Sequence, residues 1–240
     1  MSNKIFYRML GYVVTIVLHG GNMAVISMPA PKEVQDDIRV QAFKSMRNRY
    51  LTVWTFSLQF AYAVLGLLCD CLILLNSRKK DYRLPKYLHG FRETLFVSIV
   101  FPSSIVVFSM FWAIYLYDRG LVYPEFLDKV LSPISNHIMH TFILPIALWE
   151  IYFNPRKQPK SHMRYVGHMI FHFLLYLFVL FYTYFEHGRF IYPIASNLFG
   201  SIYFYMLVIG TGLIALFGYS LQWILYYLLS APEKPRKKLR

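Results

Sequence analysis

Six apolar segments, each close to or above the length of a membrane-spanning helix, divide this chain of 240 residues. A helix needs about 20 predominantly apolar residues to cross a bilayer. With 57% of its residues hydrophobic, the chain exceeds the roughly 45–50% that is typical of soluble domains. The sequence therefore predicts an all-α fold, a single membrane domain over residues 1–240, with six transmembrane helices at about 5–26, 50–75, 94–117, 133–153, 165–185 and 200–230.

The first apolar segment is interpreted as a retained helix and not as a signal peptide. Its apolar stretch is longer than the 7–15 residues or so of a signal-peptide core, and no clear small-x-small cleavage site follows it. Lysines and arginines favour the cytosolic side of a membrane, and most of them fall on one side when the N-terminus is cytosolic. The sequence therefore predicts that both termini are cytosolic, although five basic residues in the first outer loop weaken the bias.

The net charge of +13 raises the question of nucleic-acid binding. The basic residues lie beside apolar spans, where they meet anionic lipid headgroups, so nucleic acid is excluded as a partner and membrane lipids are expected. Cys69 and Cys71 are two residues apart on a predicted helix, so their side chains diverge and predict neither a disulfide nor a zinc site.

The chain ends in Lys237-Lys238-Leu239-Arg240, with lysines third and fourth from the carboxyl end. This pattern resembles a dilysine retrieval signal and predicts residence in the endoplasmic reticulum. The alternative is a basic tail that touches anionic lipid, in which case the plasma membrane is the other candidate location.

Polar side chains inside the spans form two groups, and each needs a reason because exposure to lipid costs several kcal/mol. The outer group lies at similar depth on three helices. Thr52 is predicted about 3 Å and His140 about 10 Å inside their helix starts, so the two can meet. The alternative for Thr52 is a purely structural role, in which its hydroxyl donates a hydrogen bond to a backbone carbonyl or joins two helices. The group consists of His19, Asn22, Thr52, Thr55, Asn136, His137, His140 and Thr141.

The inner group contains Asp70 and Glu150, followed by His168 and His172 on the fifth helix. Asp70 is 18 residues beyond Thr52, about 27 Å along a helix, so it cannot orient a base that serves Thr52. Both carboxylates are expected to pair with basic loop residues near the cytosolic face.

His168 and His172, four residues apart, raise the alternative of a bound metal or haem. A metal site needs further ligands at the same depth, and the clustered histidine boxes of membrane di-iron enzymes are absent from the sequence. Packing or hydrogen bonding is the preferred interpretation, and neither a metal nor a cofactor is expected.

Three short motifs resemble those of the family of androgen-induced protein 1 and androgen-dependent TFPI-regulating protein. The similarity covers about residues 50 to 200, whereas the N-terminal helix and the tail match poorly. The Asn-His-x-x-His-Thr run is the most specific piece. The motifs are Tyr50-Leu51-Thr52; Tyr117-Asp118-Arg119 with Tyr123-Pro124; and Asn136-His137-Ile138-Met139-His140-Thr141 with Leu144-Pro145.

This resemblance implies a membrane hydrolase that cleaves fatty acid esters of hydroxy fatty acids through a threonine nucleophile and a histidine. By position, the nucleophile falls on Thr52 and the histidine on His140. The substrate is then a lipid ester within the bilayer, cleaved through an acyl-threonine intermediate. Val53-Trp54-Thr55 departs from the family after the nucleophile and is expected to reshape the acyl-binding wall.

The sequence leaves open which group orients the histidine and which groups donate hydrogen bonds to the oxyanion. Candidates for orienting the histidine are Asn136, through its carbonyl, and Asp118 from the neighbouring loop. Candidates for oxyanion donors are Asn136, His137 and Asn22. A non-catalytic membrane adaptor or lipid-binding protein is the main competing function, and a histidine-ligated metal or haem protein is a weaker one.

Overall fold

The fold is all-helical, as predicted. The computed structural model describes residues 3–29, 31–78 and 82–230, and these residues contain no β-strand. The predicted dilysine signal therefore lies outside the described residues, as do Lys79 and Lys80, which follow the second predicted span.

Five helices in the described residues are long and apolar enough to cross a membrane, which fits an integral membrane protein. Their successive starts and ends alternate between the two ends of the bundle. They are α1 (Asn3–Ser27), α4 (Leu51–Leu75), the helical segment Lys86–Leu121 that contains α5 (Lys86–Leu95) and α6 (Phe101–Asp118), α9 (Met163–His187) and α11 (Ile202–Ser230). Between them lie the shorter helices α2 (Lys32–Gln35), α3 (Ile38–Met46), α7 (Pro133–His140), α8 (Ile143–Phe153) and α10 (Pro193–Leu198).

The predicted fourth span, residues 133–153, is not one helix. It is interrupted between α7 and α8, where the N–H groups of Thr141 and Phe142 both bond the carbonyl of His137. Pro145 explains the interruption, because proline lacks an N–H and its ring clashes with the carbonyl four residues earlier, which is that of Thr141. Neither half alone is long enough to cross a bilayer, so the structure shows five candidate spans and does not confirm the sixth that was predicted.

The helix Lys86–Leu121 forms the centre of the bundle. In its most apolar window 72% of residues are buried, against 22–33% in the other four candidate spans. The helix begins several residues before the predicted start at residue 94 and contains a π-helical stretch, Phe96–Val100. Pro102 lies just beyond this stretch, and the wider π turn accommodates a residue that lacks an N–H donor.

Ion pairs hold the helices together at the end of the bundle remote from Thr52. Asp70 is fully buried and accepts hydrogen bonds from Arg8 at 2.5 and 2.6 Å and from Arg92 at 3.1 Å. Glu150 is 2.7 Å from Arg156 in the loop after α8. The predicted pairing of both carboxylates is confirmed. However, Arg8 and Arg92 come from helices, and only Arg156 comes from a loop.

Candidate active site

Thr52 lies in the first turn of α4, at the end of the bundle opposite the ion pairs. Tyr50 precedes the helix in an extended conformation, with φ −75° and ψ 135°, and α4 begins at Leu51. The side chain of Thr52 is half-buried. A helix start has N–H groups that lack helical partners, so polar groups gather around this residue.

The structure brings Thr52 and His140 together. The Oγ1 atom of Thr52 is 3.2 Å from Nε2 of His140, although the residues are 88 positions apart in the chain. The other ring nitrogen, Nδ1, is 3.0 Å from the carbonyl oxygen of Asn136. A carbonyl only accepts, so the neutral ring must hold its hydrogen on Nδ1. Nε2 is thereby left as an acceptor that faces the threonine hydroxyl.

Two features fix the imidazole of His140. Its ring stacks on Phe111 with centroids 3.6 Å apart and planes 13° apart. It is also the last residue of α7, directly before the helix interruption, and only 6% of its surface is exposed. A ring that is held at one nitrogen and across one face has little freedom to turn away from Thr52.

Of the two candidates for orienting His140, the carbonyl of Asn136 contacts it. Asp118 lies elsewhere: its carboxylate accepts a hydrogen bond from the N–H of Gly120 at 2.8 Å and the residue is exposed. No carboxylate among the described residues is hydrogen-bonded to the imidazole. The third member of this arrangement is therefore a backbone carbonyl.

The side chains predicted as oxyanion donors do not line the cavity beside Thr52. His137 is exposed and bonds Thr141 Oγ1 at 3.0 Å. Asn22 and Asn136 are buried, and one amide atom of each has no partner within the described residues.

Two tyrosines that sequence reasoning missed lie at the start of α4. The hydroxyl oxygens of Tyr176 and Tyr192 are each 3.1 Å from the N–H nitrogen of Leu51, and 3.1 Å from each other. One hydroxyl donates to the other, which leaves one hydroxyl proton without an acceptor among residues that the structure describes. Burial raises the pKa of Tyr192, so its hydroxyl stays protonated at neutral pH.

A cavity of about 800 Å³ opens beside these groups. Thr52, His140, Tyr176 and Tyr192 all line it, and the rest of its wall is mostly apolar. This volume is within the roughly 300–1,000 Å³ of small-molecule sites. An apolar cavity with a few polar groups at one place suits an amphiphile whose polar group meets them.

The cavity wall comes from two groups of elements. One surrounds the start of α4 and includes Phe43, Tyr123 and Met139. The other runs along α9 and α11, from Phe204 to Leu216 on α11. At about 1.5 Å per residue, this second part follows α11 for roughly 18 Å.

A comparison with protein-family models identifies the family of this chain. The model described as FAR-17a/AIG1-like protein matches residues 8–225. This chain belongs to the FAR-17a/AIG1-like family. The match starts near the beginning of α1 and ends within α11, so it covers the N-terminal helix that the motifs alone had left out.

Individual relatives agree with this membership. Androgen-dependent TFPI-regulating protein of Homo sapiens is 33% identical over 170 residues, which cover 70% of this chain and 71% of that protein. Its Mus musculus counterpart is 34% identical over 198 residues, 80% of this chain and 81% of its own length. Androgen-induced gene 1 protein of Homo sapiens is 30% identical over 115 residues, 47% of this chain and 48% of its own. No solved structure matches the chain.

The two histidines considered as metal or haem ligands do not converge on a site. His168 bonds the carbonyl of Arg164 at 2.6 Å and is exposed, whereas His172 is buried against Trp54. Within the described ranges there is no group of three or more His, Cys, Asp or Glu that could hold a metal ion.

Proposed function

We propose that this family member is a membrane-embedded threonine hydrolase that cleaves lipid esters, in particular fatty acid esters of hydroxy fatty acids. One observation carries the proposal: the 3.2 Å separation between Thr52 Oγ1 and His140 Nε2 in the wall of an apolar cavity. A threonine hydroxyl is a weak nucleophile at neutral pH and needs a base within about 2.6–3.2 Å. The preferred reaction follows from the family resemblance of the Thr52 and His140 motifs.

In the first half of the reaction, Thr52 Oγ1 attacks the ester carbonyl and its proton passes to His140 Nε2. The Nδ1 hydrogen bond to the carbonyl of Asn136 keeps the accepting nitrogen aimed at the hydroxyl. The tetrahedral intermediate then collapses, the bond to the alcohol oxygen breaks, and that oxygen takes the proton from His140. The products are an acyl-threonine and the released hydroxy fatty acid.

Water completes the cycle. His140 removes a proton from water as the water oxygen attacks the acyl-threonine carbonyl, and the proton returns to Thr52 Oγ1 when the acyl bond breaks. The second product is a free fatty acid.

The developing oxyanion needs a hydrogen-bond donor. We assign this role to the hydroxyl pair of Tyr176 and Tyr192, because both residues line the cavity, their oxygens approach the residue before Thr52, and the pair holds one uncommitted proton. This replaces the side chains of Asn136, His137 and Asn22 as candidates.

The substrate would enter from the bilayer between α9 and α11. Leu174 and Leu213 both line the cavity, and they are 58% and 60% exposed. Side chains that belong both to the cavity wall and to the outer surface mark a thin or open part of that wall. A lipid can pass there without leaving the apolar phase.

We also propose a membrane topology and a cellular location for the protein. With α7 and α8 together as a sixth crossing, both termini are cytosolic and Thr52 lies near the luminal headgroups. The dilysine pattern at residues 237–238 would retain the protein in the endoplasmic reticulum.

A fluorophosphonate probe for serine and threonine hydrolases tests the proposed function. The wild type should be labelled, with the adduct mapped to Thr52 by mass spectrometry, and Thr52→Ala and His140→Ala should abolish labelling. The matched control is Thr55→Ala, which removes a buried hydroxyl one turn further along the helix that has no hydrogen-bond partner in the described part of the chain. Labelling that survives in Thr52→Ala would exclude Thr52 as nucleophile, and the cavity would then favour a non-catalytic lipid-binding protein.

A further inference from the structure

One charged side chain lines the cavity. Among the described lining residues Arg47 is the sole lysine, arginine, aspartate or glutamate, and the other polar contributors are uncharged groups such as Asn48 and Ser57. A cation at an apolar wall is costly unless an anion or several hydrogen-bond acceptors meet it. Arg47 thus marks one place on this wall where a negative group would be favoured.

Two other arginines near this end of the bundle are already paired. Arg49 is 2.6 Å from Glu186, and Arg119 is 2.7 Å from Asp128. The guanidinium of Arg47, in contrast, has no ion pair or hydrogen bond with any residue in the described ranges, and its side chain is half-buried. Its charge is therefore available to a ligand in the cavity.

Arg47 is also close to the proposed nucleophile along the chain. It is the first residue of a one-turn 3-10 helix, Arg47–Arg49, which leads through Tyr50 directly into α4. Thr52 is five positions further along the chain, so the Cα atoms of the two residues lie at most about 18 Å apart even if the segment were fully extended. A single lipid molecule can therefore contact both.

We propose that Arg47 binds the free carboxylate of the substrate and so selects esters that carry one. This inference rests on the proposed function. In an ester of a hydroxy fatty acid, the free carboxylate belongs to the alcohol half, which leaves as the hydroxy acid. Arg47 would thus hold the leaving half while the acyl half is transferred to Thr52. Its position relative to Thr52 would select substrates by the distance between their carboxylate and their ester bond.

A carboxylate fits better than a phosphate monoester such as that of lysophosphatidic acid. A guanidinium pairs with a carboxylate through two parallel N–H···O bonds. A phosphate monoester carries up to two charges, yet no second basic side chain among the described residues lines the cavity. One singly charged ligand group matches one unpaired cation.

The test compares an ester of a hydroxy fatty acid with its methyl ester, which lacks the free carboxylate. The ratio of kcat/KM for the acid to kcat/KM for the methyl ester should fall by about tenfold to a hundredfold in Arg47→Gln, since hydrogen bonds to charged groups contribute about 1.5–3 kcal/mol. Arg47→Lys keeps the charge and should retain part of the preference. The control is Lys44→Gln, which removes an exposed positive charge on α3 outside the cavity wall. An unchanged ratio in Arg47→Gln would overturn the inference.

A binding measurement separates this inference from the proposed function. Thr52→Ala protein in detergent is titrated with hydroxystearate and with methyl hydroxystearate, with and without Arg47→Gln. Arg47-dependent preference for the free acid supports the carboxylate site even if the wild type hydrolyses nothing. Equal affinity for the two ligands in the presence of Arg47, or stronger Arg47-dependent binding of lysophosphatidic acid than of hydroxystearate, would overturn it.

Discussion

The imidazole of His140 lies flat against the ring of Phe111, with centroids 3.6 Å apart and planes 13° apart. This contact joins α7 to α6 at the place where the chain places its proposed base. Together with the hydrogen bond to the carbonyl of Asn136, it fixes the ring without a carboxylate partner.

Replacing Phe111 with leucine should therefore slow the reaction more than it disturbs the fold. Leucine retains apolar volume but loses the stacking, which contributes about 0.5–1.5 kcal/mol. We expect the rate of fluorophosphonate labelling to fall by up to about tenfold, whereas Phe111→Tyr should label at nearly the wild-type rate. A Phe111→Leu protein that labels as fast as the wild type would show that the stacking does not position His140.

Removing either hydroxyl of the tyrosine pair should lower kcat with little change in KM. Loss of one oxyanion donor commonly costs about 10²–10³ in kcat. Tyr192→Phe removes the hydroxyl whose proton has no acceptor and is therefore expected to reduce ester hydrolysis by about a hundredfold, and Tyr176→Phe, which removes the hydrogen bond donated to Tyr192, by a smaller factor. Tyr50→Phe is the matched control, because the Tyr50 hydroxyl donates to the carbonyl of Ile191 at 3.3 Å. If the two phenylalanine variants change only KM, the pair binds substrate in its ground state and is not the oxyanion donor.

A larger residue at Gly212 should shorten the part of the cavity that follows α11. Gly212 lines the cavity, and a Cβ atom added there would meet nothing within 4 Å. We expect Gly212→Leu to reduce hydrolysis of esters with palmitoyl chains at least tenfold relative to butyryl esters. Gly210 has equally open surroundings but does not line the cavity, so Gly210→Leu should leave the chain-length profile unchanged. Parallel loss of long-chain and short-chain hydrolysis in Gly212→Leu would count against an acyl site along α11.

The ion pairs at the opposite end should govern stability. Asp70→Asn leaves the guanidinium groups of Arg8 and Arg92 without their shared buried carboxylate, and breaking a buried pair typically costs about 3–5 kcal/mol. A clearly lower unfolding temperature in detergent is expected. The comparison is Asp128→Asn, which removes the more exposed partner of Arg119 and should cost about 0–1 kcal/mol. Similar unfolding temperatures for the two variants would mean that the buried cluster contributes little net stability.

Much of the site could be predicted from the sequence because lipid makes polar residues conspicuous. Thr52 and His140 stood out in apolar segments, and counting helical rise placed them at similar depth. The same logic separated them from Asp70 and Glu150. Spacing along a helix gave the depth of each residue, whereas the roles predicted for Thr52 and His140 came from the family resemblance.

The tyrosine pair and Arg47 could not be found in this way. Tyrosines are abundant in this sequence, at 20 of 240 residues, so Tyr176 and Tyr192 carried no signal. Their meeting at Leu51 depends on how α9 and the segment just before α10 approach the start of α4, across 125 and 141 residues of chain. Arg47 was one of several basic residues in a loop, and only the packed structure distinguishes it from its paired neighbours. Pro145, in contrast, is visible in the sequence and indicates an interruption between α7 and α8. The prediction of one helix over residues 133–153 did not take it into account.

That interruption has a bearing on how the protein can move. Hydrocarbon offers no partners for exposed backbone polar groups, so a broken helix is tolerated at membrane depth only where protein or a water-filled space surrounds it. The imidazole of His140 meets this condition, because it is buried and its Nδ1 is hydrogen-bonded to the carbonyl of Asn136. We expect any widening of the bundle that admits a bulky lipid to come from unbroken helices such as α9 and α11. The imidazole of His140 keeps its position during that motion.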